Sequence, residues 1–379
     1  GSWIIDGTLA NIAWAPSLVS YNLSWEKIRT WNAGVDFGLF NNRLTGSFDY
    51  YIRKTDDMVG PSEKLPVALG TAVPSSNNTN LKTFGWELEL MWKDRLNNGL
   101  NYSARFTLAD SRTKITRYSN PSGLIDGFYA GKYVGEIWGY ETIGIAQSDQ
   151  EMAEHIGRLV NGGQSNLGQD WKAGDIMYKD LNEDGKIDAG SRTLQDHGDL
   201  KRIGNSTPRY NVGLELAADW KGFDIRMFWQ GTLKRDYFQG SYYFWGANGR
   251  QGPWFSTALK GHDDYFRNDE ASPLGTNLNS YYPRPLFNTD KNQQSQTKYL
   301  QDASYLRLKN LQIGYSLPHN IVQKMGMQNL RIFASGENLF TITSLIDFFD
   351  PESIEGGSWG HGNVYPLSRT FSFGLNVTF

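Results

Sequence analysis

Cysteine is absent from the 379 residues, which excludes disulfides, thiolate metal sites and cysteine nucleophiles. Long hydrophobic runs are missing too. No stretch approaches the roughly 18 apolar residues that a membrane helix needs, and mean hydropathy is −0.52. That excludes helical spans only, since the lumen-facing residues of a β-barrel offset its lipid-facing ones in any such average. A charge excess of one sign is also lacking. With 37 Lys and Arg against 40 Asp and Glu the net charge is −3, and the basic residues are scattered, so no nucleic-acid partner is expected. No Gly-x-Ser-x-Gly elbow, His-Glu-x-x-His or phosphate-binding glycine loop occurs, so no enzyme is expected. The five His are scattered and read as solvated or packed rather than metal-ligating. The chain opens on Gly1-Ser2-Trp3-Ile4 without a Met or signal peptide, and is read as the C-terminal portion of something longer.

What is present is aromatic and periodic. The chain holds 20 Tyr, 20 Phe and 13 Trp, an excess that suits aromatic girdles and sugar- or peptide-contacting loops. The last stretch, Arg369 to Phe379, alternates throughout. Phe371, Phe373, Leu375, Val377 and Phe379 fall on one face of a strand, and Thr370, Ser372, Gly374, Asn376 and Thr378 on the other. A strand ending on a C-terminal Phe is what an outer-membrane barrel offers for assembly, although a soluble sandwich also alternates.

The same pattern recurs upstream. Residues 1–24 read mostly as loop. A hairpin spans 25–40 and 43–56, turning at Asn41-Asn42, both tolerant of positive φ. Further hairpins pair 85–93 with 100–108, 209–220 with 223–229 across Lys221-Gly222, and 304–317 with 330–341 across a connection with room for a short helix. With the final strand this makes about nine. Short turns alternate with the long loops 57–82, 113–208, 237–303 and 342–366, so all the long loops emerge at one end. An odd strand count starting from that end leaves Phe379 at the other, periplasmic end. The expected fold is all-β, an antiparallel transmembrane barrel with long extracellular loops.

Several segments resemble the SusC/RagA class of TonB-dependent outer-membrane transporters of Bacteroidetes. They are Leu23-Ser24-Trp25-Glu26 leading into Asn32 through Tyr51, Gly174-Asp175-Ile176, Asp180 through Gly185, and Ile203 through Tyr210. Tyr305 through Leu311, Gly336-Glu337-Asn338-Leu339-Phe340 and Pro366 through Phe379 complete the set, in the family's order over nearly the whole chain. The resemblance implies the C-terminal part of a barrel of about 22 strands in the outer membrane. It also implies a plug and a TonB-contacting segment outside this chain, and a SusD-like surface lipoprotein acting as a lid.

Three groups of residues are candidates for sites. Asp180-x-Asn182-x-Asp184-Gly185-Lys186-x-Asp188 matches the first nine positions of a calcium loop, with position seven supplied by the Lys186 backbone carbonyl. Position twelve is Ser191 where a bidentate carboxylate is usual. A structural Ca²⁺ pinning the long loop is expected, the alternative being an Asx-rich turn with no ion. Tyr242, Tyr243, Phe244, Trp245, Trp254, Phe255, Tyr281 and Tyr282, with Trp359 beside His361, either stack on sugar or peptide or contact the lid, or else pack the loops on one another. A helix is expected over 148–160, capped by Ser148 with Glu151 three residues on. The function expected is import of oligosaccharides or oligopeptides with a lid lipoprotein. The competing reading is a secreted, soluble β protein that binds or hydrolyses carbohydrate.

Overall fold

The fold was determined as a computed structural model. The structure describes residues 20–21, 23–60, 62, 73–247, 249, 254, 256, 258–354 and 365–379, and the backbone of 4–5 and 8–9. Nine strands form one antiparallel meander: β1 (Lys27–Leu39), β2 (Leu44–Met58), β3 (Thr79–Arg95), β4 (Asn101–Arg117), β5 (Arg209–Trp220), β6 (Phe223–Lys234), β7 (Tyr305–Ser316), β8 (Asn329–Thr343) and β9 (Thr370–Thr378). Each pairs with its neighbours in sequence, and among the described residues the outer edges of β1 and β9 are unpaired, so the sheet is not closed.

The turns are made where the backbone can be left-handed. Asn41 and Asn42 have φ of 57° and 62°, and Lys221 and Gly222 have φ of 49° and 89°, the paired positive values of a tight hairpin turn. A Cβ on Gly222 would stand 2.7 Å from the Ser316 carbonyl, so that turn excludes larger residues. The expected helix in the fourth hairpin forms at His319–Lys324.

The register carries one apolar face across the whole sheet. Reading partner to partner, Leu39, Leu44, Trp92, Ala104, Leu216, Met227, Leu311, Gly336 and Phe371 form one row, with one residue from each strand. The row beside it, on the other face, runs Gly38, Thr45, Met91, Arg105, Glu215, Phe228, Asn310, Glu337 and Thr370. Because side chains alternate strictly, a slip of one residue anywhere would exchange the faces. Bulges between Phe228 and Trp229 and between Leu308 and Asn310 adjust the register within this frame.

Strands β2 to β4 are longer than the alternation suggests. β3 begins at Thr79 and β4 continues to Arg117, taking residues from the expected loops. The added ends carry Lys82, Arg112, Lys114 and Arg117. These ends pack against the loop that follows β4, where Ile115 is wholly buried and the Val134 amide donates to the Thr113 carbonyl, so their ladder continues without the hydrophobic period of the lower strands.

The buried core lies in the loops rather than in the sheet. Ile125, Tyr140, Ile176, Tyr178, Ile187, Tyr237, Phe244, Tyr299, Leu345 and Phe349 belong to one cluster drawn from the loops after β4, β6 and β8. Short strand pairs support it: Glu136–Gly139 with Lys201–Asn205, Thr142–Ile145 with Ile176–Tyr178, and Asp236–Phe238 with Leu300–Asp302. The expected helix covers Asp149–Gly157, and the Ser148 side chain accepts from the Glu151 amide.

Candidate functional site: a two-faced sheet under a folded loop body

Among the described residues, nothing packs over the apolar face of β9. Phe373 is 85% exposed and Leu375 65%, so among the described residues no second layer covers this part of the sheet. Burying such a band in lipid recovers roughly 25 cal/mol per Å². Aromatic pairs edge it at both ends. Toward the short turns, Phe40 meets Trp92 (6.1 Å between ring centroids), the Trp92 indole N–H donates to the Tyr102 hydroxyl at 3.3 Å, and Phe223 meets Tyr315 at 4.5 Å. Toward the long loops, Trp31 meets Tyr50, Phe48 meets Trp86 and Trp229 meets Phe340 at 6.2–6.4 Å. Along β3 the span from Phe84 to Trp92 is about 27 Å. At a tilt near 40° that is about 20 Å across the membrane, close to the apolar band of such barrels.

The opposite face is wet. A trough of about 500 Å³ crosses it, lined by Asp49, Glu87, Glu89, Thr107, Asn211 and Gln230 among others. Arg105 forks onto Glu89, Nε to Oε1 at 3.0 Å and Nη2 to Oε2 at 2.8 Å. Polar side chains of both signs line this face.

The loop body is held by charges that sequence reasoning missed. Asp175 is wholly buried and accepts from Arg284 Nε at 2.7 Å and Nη2 at 2.8 Å, from Asn292 Nδ2 at 2.9 Å and from the Lys172 amide at 3.0 Å. Lys291, 1% exposed, places Nζ 2.9 Å from the same carboxylate. Burial alone would raise the Asp175 pKa, but Arg284, Asn292 and Lys291 outweigh it and hold the carboxyl below its ordinary value. At the mouth, Arg307 reaches Asp350 at 2.9 Å and Glu352 at 3.2 Å, tying the last loop to β7. Asp175 and Arg307 fall in segments that carry the family resemblance, but their partners Arg284, Lys291, Asp350 and Glu352 lie far off in the chain, and no spacing joins them.

The loop aromatics divide between the two readings left open above. Phe244 is wholly buried, and Trp245 and Tyr282 nearly so. Phe244 meets Trp245, Tyr281 and Tyr282 edge-on at 5.0, 6.5 and 5.5 Å. These four pack the loops on one another. Tyr242 and Tyr243 lie half-buried with rings 4.3 Å apart, and Trp254 stands 90% exposed. Phe255, Trp359 and His361 lie outside the described residues.

Residues 180–191 form a tight turn in which the acidic and amide side chains accept from backbone amides. Asp180 Oδ2 accepts from the Gly185 amide at 2.8 Å, Asn182 Oδ1 from Asp184 at 3.2 Å, Asp184 Oδ1 from Lys186 at 3.1 Å and Asp188 Oδ1 from Gly190 at 2.8 Å. Glu183 and Gly185 supply the positive φ. Asp180 Oδ1 is buried without a hydrogen-bond partner. Ser191 turns away, its hydroxyl 3.1 Å from Thr193 Oγ1 and 3.2 Å from the Asp196 carbonyl. Lys186 Nζ sits 2.7 Å from Asp188. Among the described residues no three His, Asp or Glu side chains gather as a metal cage. The carboxylate missed from sequence is Asp199. Buried to 1%, it closes the turn by accepting from Leu181 at 2.7 Å and Asp188 at 2.9 Å.

Comparison with known proteins agrees with this geometry. The family described as TonB dependent receptor-like, beta-barrel, matches residues 7–339. TonB-dependent receptor P3 of Formosa agariphila is 29% identical over 94% of this chain and 34% of its own length. TonB-dependent receptor SusC of Bacteroides thetaiotaomicron is 26% identical over 96% of this chain and 33% of its own length. The chain thus spans about a third of the length of the curated relatives it matches. The RagAB peptide transporter structure superposes with a TM-score of 0.66 at 24% identity, covering 94% of this chain and 36% of that one, which shows the shared fold.

Proposed function

The chain belongs to the TonB dependent receptor-like β-barrel family, and from that premise we propose that it is part of an outer-membrane importer of oligosaccharides or oligopeptides. The observation that carries this reading is the unbroken apolar row across nine strands, with its polar counterpart on the other face. A β-strand can enter lipid only if its backbone groups are paired within the sheet, so the open edges of β1 and β9 call for further strands to complete a closed barrel. Residues 1–379 supply nine of the strands. The remaining strands, the plug and the segment that contacts TonB belong to the rest of a longer protein, as the relatives' greater length supports.

In this reading the apolar rows face lipid, the trough faces the lumen, and the loop body stands outside the cell, where a SusD-like lipoprotein seats on it as a lid. The exposed Trp254 and the half-buried Tyr242 and Tyr243 are the loop aromatics placed to meet substrate or lid. The 180–191 loop takes a structural Ca²⁺ through Asp180, Asn182, Asp184 and the Lys186 carbonyl; the buried, unpartnered Asp180 Oδ1 supports this. No catalytic step is assigned to any residue.

The test uses the full-length protein in a Gram-negative host. It is expected in the outer-membrane fraction, with gel mobility that changes on heating, and deletion is expected to abolish TonB-dependent growth on one class of oligomer. Recovery as a folded, detergent-independent soluble protein would overturn the reading.

A further inference from the structure

Four neighbouring strands carry one cation each at the same level. The register pairs Arg29 with Lys54, Lys54 with Lys82 and Lys82 with Lys114, so the four form a single row across β1 to β4. The row belongs to the apolar face, because Trp31, Ile52 and Phe84 stand two residues below it on the same alternation. Arg112 pairs with Phe84 in that lower row. At the level of the cations the other face is occupied by Ile28, Thr55, Leu81 and Ile115, and Ile115 is wholly buried. The charges thus stand on the side of the sheet away from the loop body.

Like charges directly opposite one another in a ladder repel, and neighbouring strands hold them only about 5 Å apart. Few acids answer them. Asp56 takes Arg29, and Asp57 takes Lys27 at 3.9 Å and Arg117 at 3.0 Å. Among the described residues Lys54, Lys82, Lys114 and Arg112 are in no ion pair. Tyr133, bridged to Lys114 as the next residue in the row, brings an aromatic ring 5.1 Å from the Arg112 guanidinium and 5.7 Å from Lys114 Nζ.

The height of the row selects the partner. Two residues beyond Phe84 is about 7 Å along the strand, or about 5 Å along the membrane normal at a tilt near 40°. The polar layer on each side of the hydrocarbon core is about 5–8 Å deep. The row therefore lies at headgroup level, where lysine stems rest on apolar surface and the ammonium groups reach outward. A soluble anion or an acidic protein would have to enter that layer, whereas a lipid phosphate is already in it.

We propose that Lys54, Lys82 and Lys114, with Arg112 beside them, form a docking surface for the phosphorylated headgroup of an outer-leaflet lipid. The proposal rests on the importer reading, which sets this end of the sheet outside the cell. The ammonium groups donate to phosphate oxygens as point charges, and the anion relieves the repulsion along the row.

The test is native mass spectrometry of the full-length, delipidated protein in detergent. The probes are diphosphorylated lipid A, its dephosphorylated form, and the diphosphorylated form with inorganic phosphate added at matched ionic strength. The diphosphorylated lipid is expected to bind about tenfold or more tightly than the dephosphorylated one, and inorganic phosphate is expected to leave it in place. Lys54→Gln/Lys82→Gln/Lys114→Gln should weaken it about tenfold or more, while the same three positions changed to Arg should retain it. Lys54→Gln alone, at an exposed position, should weaken it severalfold. Lys93→Gln/Lys221→Gln/Lys324→Gln removes the same charge from exposed positions toward the short-turn end and should change binding less than about twofold. Equal binding of the two lipids, displacement by inorganic phosphate, unchanged binding in the first Gln variant, or equal losses in both would overturn the proposal. The two readings fail separately: a membrane-inserted importer that shows no phosphate preference loses only this inference, and a protein that fails to insert loses the importer reading whatever it binds.

Discussion

Replacing Asp175 by Asn removes the charge at the centre of the loop body while keeping its shape. In the native arrangement the carboxylate is wholly buried and faces two cations, Arg284 at 2.7 and 2.8 Å and Lys291 at 2.9 Å. The Asn amide can accept some of these bonds, but its NH₂ then points at other donors. Lys291 is left with only the carbonyls of Gln169 and Asp170, at 2.8 and 2.9 Å. Removing one partner of a buried pair costs about 3–5 kcal/mol. Each 1.4 kcal/mol is a factor of ten, so local opening should become roughly a hundred to several thousand times more frequent. Loss of the Lys291 proton would set the ceiling, because a lone buried ammonium can neutralise itself. Hydrogen exchange on the full-length protein should report this at Ile176–Tyr178 and at residues 292–299, with β5 unchanged. Asp126→Asn is the control. Its pair with Arg192 leaves both side chains about half exposed, and the change should cost less than about 1 kcal/mol. A fall in protection below tenfold for Asp175→Asn, or an equal fall in β5, would refute the account. The pH dependence has a definite sign: because the folded-state pKa of Asp175 is depressed, its stabilisation is complete above the ordinary carboxylate value near pH 4 and fades as pH drops through the lower folded value.

Other consequences are independent of that network. Phe373→Lys puts a charge on the apolar face and should cost about 2–4 kcal/mol if the site lies near mid-bilayer, whereas Ser372→Lys, on the opposite face, should be tolerated; denaturant titration in liposomes, read by gel mobility, separates them, and equal losses would count against the face assignment. Gly222→Ala forces a Cβ into a left-handed turn and against the Ser316 carbonyl, which should cost about 1–2 kcal/mol in the same assay. Metal analysis after dialysis in calcium buffer should find one calcium per chain, lost in Asp180→Ala with the strands intact; a wild-type protein that retains none would exclude the metal.

Strand order and the two faces were legible from the sequence because a strand at a lipid boundary must alternate, and residues such as Phe371, Phe373 and Leu375 do so without interruption. The strand ends were not. Past the apolar band Lys82, Arg112 and Lys114 are polar in a ladder that packs against the Tyr133 loop, and nothing in their polarity separates ladder from loop. The loop aromatics were ambiguous for a different reason: Phe244 and Trp254 have similar neighbours in sequence, and only the tertiary fold decides that one is core and the other exposed. Asp180 to Asp188 could be read by spacing because the loop is local. Asp199, which closes it from outside the motif, carried no such signal.

The Asp175 cluster also bears on the order in which the protein is made. Asn292 and Asp175 are separated by 117 residues, and the β5–β6 hairpin and the loop that follows it come between them. Contacts of such separation wait for the intervening chain, so this part of the loop body cannot close while β4 alone has been laid down. It can close once residue 292 is in place, with β7, β8 and β9 still to follow in the chain, and chains halted before that residue should show these loops open to protease.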